Sequence, residues 1–251
     1  MSDLKKEPFD WAVPQDAPRL VFLRHGQTDF NLQRRFQGIT DVPLNATGRK
    51  QAEESGAVLA SRLQALSQGA SWQVKLLCSP LQRTKQTGQI VAEALSKRGV
   101  PVLLSEHPGL IERSYGKFEG LGITEIQTAY AEAFRVWRET GESGAVGVEP
   151  SQLVGQRVAE AVMAGIDGLT FPDTLVLVTH GSASLRGIEV LLGLDPVAFH
   201  GFRGLDNCHW SELTKDPKRP SWCLAAHNIG PDADNPQTLV RVVETLAGKN
   251  A

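Results

Sequence analysis

Cysteine is scarce in this chain: Cys78, Cys208 and Cys223 are the only 3 among 251 residues. They lie far apart, with no C-x-x-C pair and no Cys/His spacing of the metal-binding kind, which removes zinc ribbons, redox motifs and a disulfide-stapled scaffold. Reduced thiols packed inside a cytoplasmic protein are the expectation. An excess of either charge is also missing. Lys and Arg number 26 against 28 Asp and Glu, a net charge of -2, so no overall basic field exists to grip nucleic acid, and any anion site must be local. No apolar run is long enough to span a bilayer, and Met1 to Asp16 mix charges and prolines without an apolar signal core. Neither a membrane nor a nucleic acid is an expected partner. No G-x-G-x-x-G follows the first apolar run, which argues against a dinucleotide-binding oxidoreductase.

What is present is a set of short apolar runs. With 41% hydrophobic residues the chain can bury a real core. Leu20 to Leu23, Val74 to Cys78 and Leu175 to Thr179 are continuously apolar, as strands covered on both faces are. Helical patterns lie between them. Thr47 is placed to cap a helix running to about Leu66. Ser79-Pro80-Leu81-Gln82 predicts another, reaching about Lys97, with Ser79 as N-cap, Pro80 at the first helical position and Gln82 completing a capping box. Further helices are expected at Thr124 to Arg138, Gln152 to Ile166 and Ser184 to Leu192, and further strands near Cys208 to Leu213 and Trp222 to His227. Gly141 to Pro150 reads as a loop and Asp216 to Pro220 as a hairpin turn. Strands alternating with helices imply an α/β fold, a three-layer α/β/α sandwich around a mainly parallel sheet. Residues 1–17 read as an N-terminal extension and 18–251 as one domain.

Three strands finish on polar, mostly basic text: Arg24-His25-Gly26, Ser79 to Arg83, and Thr179-His180-Gly181. In open α/β sheets ligands sit beyond the carboxyl ends of the strands, so Arg24, His25, Arg83 and His180 can share one pocket. Two guanidinium forks suit a phosphate dianion. Helix N-termini after Ser79 and Gly181 are expected to add backbone N–H donors. A cationic cluster of this kind repels a metal ion, and none is expected.

The wording of five segments carries a family resemblance: "RHGQTDFN" (Arg24 to Asn31), "FQGITDVPLNATGRKQA" (Phe36 to Ala52), "SPLQRTKQT" (Ser79 to Thr87), "ERSYGKFEG" (Glu112 to Gly120) and "VTHGSASLRG" (Val178 to Gly187). From about Leu20 to about Leu213 the chain resembles the histidine phosphatase superfamily, which includes cofactor-dependent phosphoglycerate mutases and many phosphomonoesterases. The resemblance implies that His25 is the nucleophile, that Arg24, Arg83 and His180 bind the transferring phosphoryl group, and that Glu112 donates the proton. It also implies substrate contacts from Asn31, Gln37, Gly38, Gly181 and Ser182. Glu119, the neighbouring acid, is expected to be a solvated loop carboxylate.

Mutases resembling this chain carry a lysine where Ile123 stands here, and a tandem arginine pair. Arg135 and Arg138 flank Trp137 instead, at the i,i+3 spacing of an exposed helix face, and Phe134 with Trp137 is expected to fill a core. The expected activity is therefore metal-independent hydrolysis of a small phosphate monoester, with no cofactor, through a phosphohistidine. The alternatives are a phosphoglycerate mutase, or a catalytically silent phospho-ligand binding module on the same fold. The expected partner is a small-molecule phosphate ester, and a homodimer is left open.

Overall fold

A computed structural model describes residues 13–67 and 69–231 of the chain. The expected extension and domain, 1–17 and 18–251, therefore lie partly outside the described residues. In chain order the elements are β1 (Arg19–Arg24), α1 (Asp29–Leu32), α2 (Ala46–Leu66), β2 (Val74–Cys78), α3 (Gln82–Ser96), β3 (Val102–Glu106), α4 (Ile123–Ala129), α5 (Ala131–Thr140), α6 (Ser151–Gly165), β4 (Thr174–Thr179), α7 (Gly181–Leu191), β5 (Trp210–Lys215) and β6 (Trp222–Ile229). The strands form one sheet in the order β3-β2-β4-β1-β5-β6. Pairs β1–β4, β2–β4 and β2–β3 are parallel, and β5 and β6 add an antiparallel flank beside β1.

Leu20, Val21, Phe22 and Leu23 of β1 are all fully buried, as a strand covered on both faces requires. Successive side chains point to opposite faces, and the packing follows that alternation. Leu20 and Phe22, with Leu175 and Leu177 of β4, meet Val154 and Val158 of α6 and Ile188 of α7. Val21 and Leu23, with Val176 and Val178, meet Leu59 and Leu63 of α2 and Val91 and Leu95 of α3. Two helical layers thus cover one sheet, which is the expected α/β/α sandwich. Each fully buried large apolar side chain contributes about 1.5–3 kcal/mol. Val13 and Ala17, the end of the expected extension, are buried in the first of these clusters.

Four local expectations are corrected. The N-cap of α2 is Asn45, whose Oδ1 accepts from Gly48 N at 2.9 Å, and not Thr47. Helix α3 begins at Gln82 with Leu81 as N-cap and no side-chain cap of its own, because the Ser79 hydroxyl is held by His180 and Asp41 Oδ1 takes the Gln82 N–H at 2.7 Å. The single helix expected from Thr124 breaks at Tyr130, whose φ of -139° and ψ of 40° are not helical, into α4 and α5. Helix α7 starts earlier than expected, at Gly181.

The topology also places the site. Neighbours β1 and β4 run parallel in step, with Arg24 opposite Thr179. The chain leaving β1 continues to α2 on one face and that leaving β4 continues to α7 on the other, which opens a crevice beyond the two strand ends.

Candidate active site

The first residues past β1, β2 and β4 are His25, Ser79 and His180, and the sheet register brings them to one level. His25 N donates to Thr179 O at 3.1 Å and Ser79 N to Val178 O at 3.0 Å, so the parallel pairing continues one step past the strands. Gly26 then turns the chain against α2. A Cβ at Gly26 would stand 2.3 Å from the carbonyl oxygen of Gly48, so this crossing admits no side chain.

His25 is buried, and its Nδ1 lies 2.7 Å from the carbonyl oxygen of Gly26. A carbonyl only accepts, so Nδ1 carries the proton and Nε2 keeps its lone pair. Burial, followed by the charges of Arg83 and Arg24, holds the imidazole well below its usual pKa. A neutral ring with one nitrogen fixed and the other free is the form a nucleophile needs.

The arginines are held as firmly. Arg83 is fully buried; its Nε donates to His180 Nδ1 at 3.2 Å, Nη1 to Thr40 O at 2.8 Å and Nη2 to Gly38 O at 2.7 Å. Three of its five N–H groups are thereby used, which fixes the fork. Burial lowers its pKa to about 10, so it remains a cation at neutral pH. Gly38 sits at φ 51°, and a Cβ there would meet Glu119 Oε1 at 2.2 Å. Arg24 donates from Nη1 to Leu205 O at 2.5 Å, while its buried Nε has no partner among the described residues. A buried N–H without a partner is costly unless a ligand completes it, and an anion does so best.

His180 is fully buried and stands edge-on to His25 with ring centroids 5.2 Å apart. Since its Nδ1 accepts from Arg83, its Nε2 is protonated and donates to Ser79 Oγ at 2.8 Å. Both ring nitrogens are engaged, so in this geometry His180 aligns Arg83. Burial and then the Arg83 charge hold its pKa well below the usual imidazole value.

Glu112 is buried, and its carboxylate accepts from Arg113 N at 2.9 Å, Ala183 N at 2.9 Å and Ser182 N at 3.2 Å. The last two are first-turn N–H groups of α7. The expectation that helix starts after Ser79 and Gly181 would offer N–H donors to phosphate is corrected at these groups, because carboxylates already take them: Glu112 at α7 and Asp41 at α3. Glu119 is not solvated as expected. Its Oε1 accepts from Tyr115 N at 2.9 Å and Ser114 Oγ at 3.2 Å, and Thr40 Oγ1 donates to Oε2 at 3.3 Å, so it braces two loops.

A cleft of about 270 Å³ is lined by Arg24, His25, Arg83 and Glu112, with Asn31, Gln37, Gly38, Gly181 and Ser182 also on its wall. Nine of the ten residues expected from the sequence therefore meet there, and His180 lies behind them. A larger groove of about 600 Å³ between α3 and β3 holds none of these residues. Ile123 stands exposed on the cleft wall. Arg135 is exposed and paired with Glu132 and Glu139, each at 2.7 Å, away from the cleft. Phe134 and Trp137 pack in an aromatic cluster with Phe118 and Phe36, as expected of core residues.

Several contributors had no signal in the sequence. Thr28 donates to Gln37 Oε1 at 2.8 Å and, as the N-cap of α1, binds Asn31. Asn207 Nδ2 donates to His25 O at 3.0 Å and Asn31 Oδ1 at 3.3 Å. The carbonyls of Gly38, Thr40 and Leu205 aim the arginines, and a carbonyl leaves no mark in a sequence.

Fold and cleft together define a class: an α/β protein with a cationic anion site at the ends of its parallel strands. The model of the histidine phosphatase superfamily (branch 1) matches residues 20–228, and the chain belongs to that family. It is similar to an uncharacterized phosphatase, PhoE, of Bacillus subtilis, at 32% identity over 70% of this chain and 79% of that one. It is also similar to a 2,3-bisphosphoglycerate-dependent phosphoglycerate mutase of Cytophaga hutchinsonii, at 31% identity over 70% of this chain and 77% of the relative. Among solved structures, a mycobacterial glucosyl-3-phosphoglycerate phosphatase in complex with VO3 superimposes with a TM-score of 0.67 and 28% identity, covering 84% of this chain and 99% of the other. The phosphatases among these relatives bear out the expectation of a histidine-type phosphatase acting on a small phosphorylated metabolite.

Proposed function

We propose that the protein hydrolyses small phosphate monoesters without a metal, by way of a phosphohistidine at His25. The observation that carries this is the Nδ1 contact to Gly26 O at 2.7 Å, which leaves Nε2 without a partner among the described residues, in the cleft that Arg24 and Arg83 also line. Arg24 and Arg83 take the charge that spreads over the equatorial oxygens, and the unpartnered Nε of Arg24 supports that role. Gln37, Asn31, Gly38, Gly181 and Ser182 shape the wall around the group. Nε2 forms a bond to phosphorus as the ester P–O bond breaks, and the departing oxygen takes its proton from Glu112. Water then attacks phosphorus and gives its proton back to Glu112, which frees His25 and inorganic phosphate.

Exposed Ile123, in place of a lysine clamp, and the surface pairing of Arg135 support hydrolysis over return of the group to a retained substrate. A cationic lining disfavours a divalent ion, and among the described residues no cluster of His, Cys, Asp and Glu could hold one. Buried free thiols at Cys78 and Cys208 support a cytoplasmic location, and among the described residues no helix is long and apolar enough to cross a membrane. Homodimerisation belongs to the same proposal, supported by exposed Leu103 on the open edge strand β3.

Rapid quenching of a single turnover with radiolabelled 4-nitrophenyl phosphate tests the chemistry. An acid-labile, alkali-stable label is expected on the wild type and none on His25→Ala. The label should decay to inorganic phosphate faster than it passes to added phosphoglycerate, and turnover should survive EDTA. An unlabelled wild type, net isomerisation, or a loss of turnover restored by a divalent ion would each overturn the assignment.

A further inference from the structure

Helix α1 ends in a motif whose customary residue is replaced. Arg34 N donates to Asn31 O at 3.1 Å and Arg35 N to Phe30 O at 2.9 Å, the paired bonds of a Schellman ending, and Arg34 between them sits at φ 55°. Glycine occupies that left-handed position without steric cost, whereas any side chain strains it. Arg34 is exposed, so packing does not compensate. Its neighbour Arg35 is neutralised, with Nη1 at 2.8 Å from Glu125 Oε2 and 2.5 Å from Gly120 O, but among the described residues the Arg34 guanidinium forms no salt bridge. A helix of 4 residues offers too small a dipole to account for a cation at its end. What Arg34 does share is the cleft: it lines the wall with Phe36, Tyr115 and Ile123, while Arg24 and Arg83 hold the inner end. A local rule broken without compensation elsewhere points to a functional demand at that residue.

We infer that Arg34 is a specificity residue that takes a carboxylate on the alcohol part of the phosphate ester, an assignment that rests on the phosphatase function proposed above. The two inner arginines grip the phosphoryl group, and an unpaired guanidinium at the exposed side of the cleft selects alcohols bearing a second negative charge. Neutral alcohols would lie against Phe36, Tyr115 and Ile123 with that cation unused.

The test compares 3-phosphoglycerate with glycerol 1-phosphate, which differ by a carboxylate against a hydroxymethyl group at the same distance from phosphorus. The wild type should prefer the carboxylate in kcat/KM by about tenfold, the scale of one charge-assisted hydrogen bond. Arg34→Gly should collapse that ratio towards one, chiefly through KM, and Arg34→Lys should restore part of it. Because glycine suits the backbone, the Tm of Arg34→Gly should equal or exceed that of the wild type, so a lost ratio would not reflect misfolding. A wild-type ratio near one, or a ratio unchanged in Arg34→Gly, overturns the assignment while the phosphatase function stands. Failure to hydrolyse any of these esters or 4-nitrophenyl phosphate overturns both.

Discussion

Two carboxylates lie within eight positions of one another near the cleft, and their partners separate their roles. Glu112 lines the cleft and is held by three main-chain N–H groups, whereas Glu119 is bound to Ser114, Tyr115 and Thr40 and supports the loop carrying Gly38. Glu112→Gln should therefore cut turnover of alkyl phosphates by about 10²-fold or more while sparing nitrophenyl phosphate, whose leaving group needs no proton. Glu119→Gln should act on both substrates alike, by loosening Gly38 and through it Arg83. Steady-state rates over a series of leaving groups check this, and a leaving-group dependence confined to Glu119→Gln would reverse the assignment. The sequence made the charged residues legible because the strand ends carry them in plain order. The solvated state expected for Glu119 failed because its partners are a backbone N–H and two hydroxyls, none of which a linear pattern ties to a carboxylate.

Among elements, the strands buried on both faces could be read directly, since a continuous apolar run has few other uses: β1, β2 and β4 fall where the runs are. Strand β3 was not anticipated, because it lies at the sheet edge with most of its residues exposed and so lacks a full apolar pattern. Helix α3 shows the other limit. Its start carries a plausible capping sequence, but the N–H of Gln82 is bonded by Asp41, forty-one residues earlier in the chain, whose other oxygen accepts from Gln82 Nε2 at 3.2 Å. Asp41→Ala should cost about 1 kcal/mol, the usual worth of an N-cap, and lower Tm by about 2–4 °C in a chain of this size. Ser79→Ala should leave α3 intact and disturb His180 instead. Thermal melts of the two variants, with far-UV dichroism for the helix, separate a tertiary cap from the local one suggested by the sequence.

At the scale of the whole molecule, stability should depend on pH through groups that titrate differently folded and unfolded. His25 and His180 both have pKa values held well below the usual imidazole value, so near pH 6.5 and below the unfolded chain binds protons that the folded one refuses, and stability falls as pH falls. Glu189 in α7 acts in the opposite sense. Burial raises its carboxyl to about 7 despite Arg186 at 2.9 Å, so the folded chain gains a proton there on acidification from neutral pH and stability rises. Two imidazoles against one carboxyl leave a net loss of stability as pH falls from 6.5 to 5. Urea midpoints across that range measure it, and Glu189→Gln should steepen the fall; a flat or rising profile would contradict the burial of both histidines. The cradle around Glu112 bears on how such a molecule changes over generations. Its three hydrogen bonds come from peptide groups of Arg113, Ser182 and Ala183, which every residue but proline supplies. The grip on the carboxylate therefore does not depend on which side chains stand at those three positions, and what restricts them is their own packing: Arg113 is buried against Glu142 and Ala183 lies in the core.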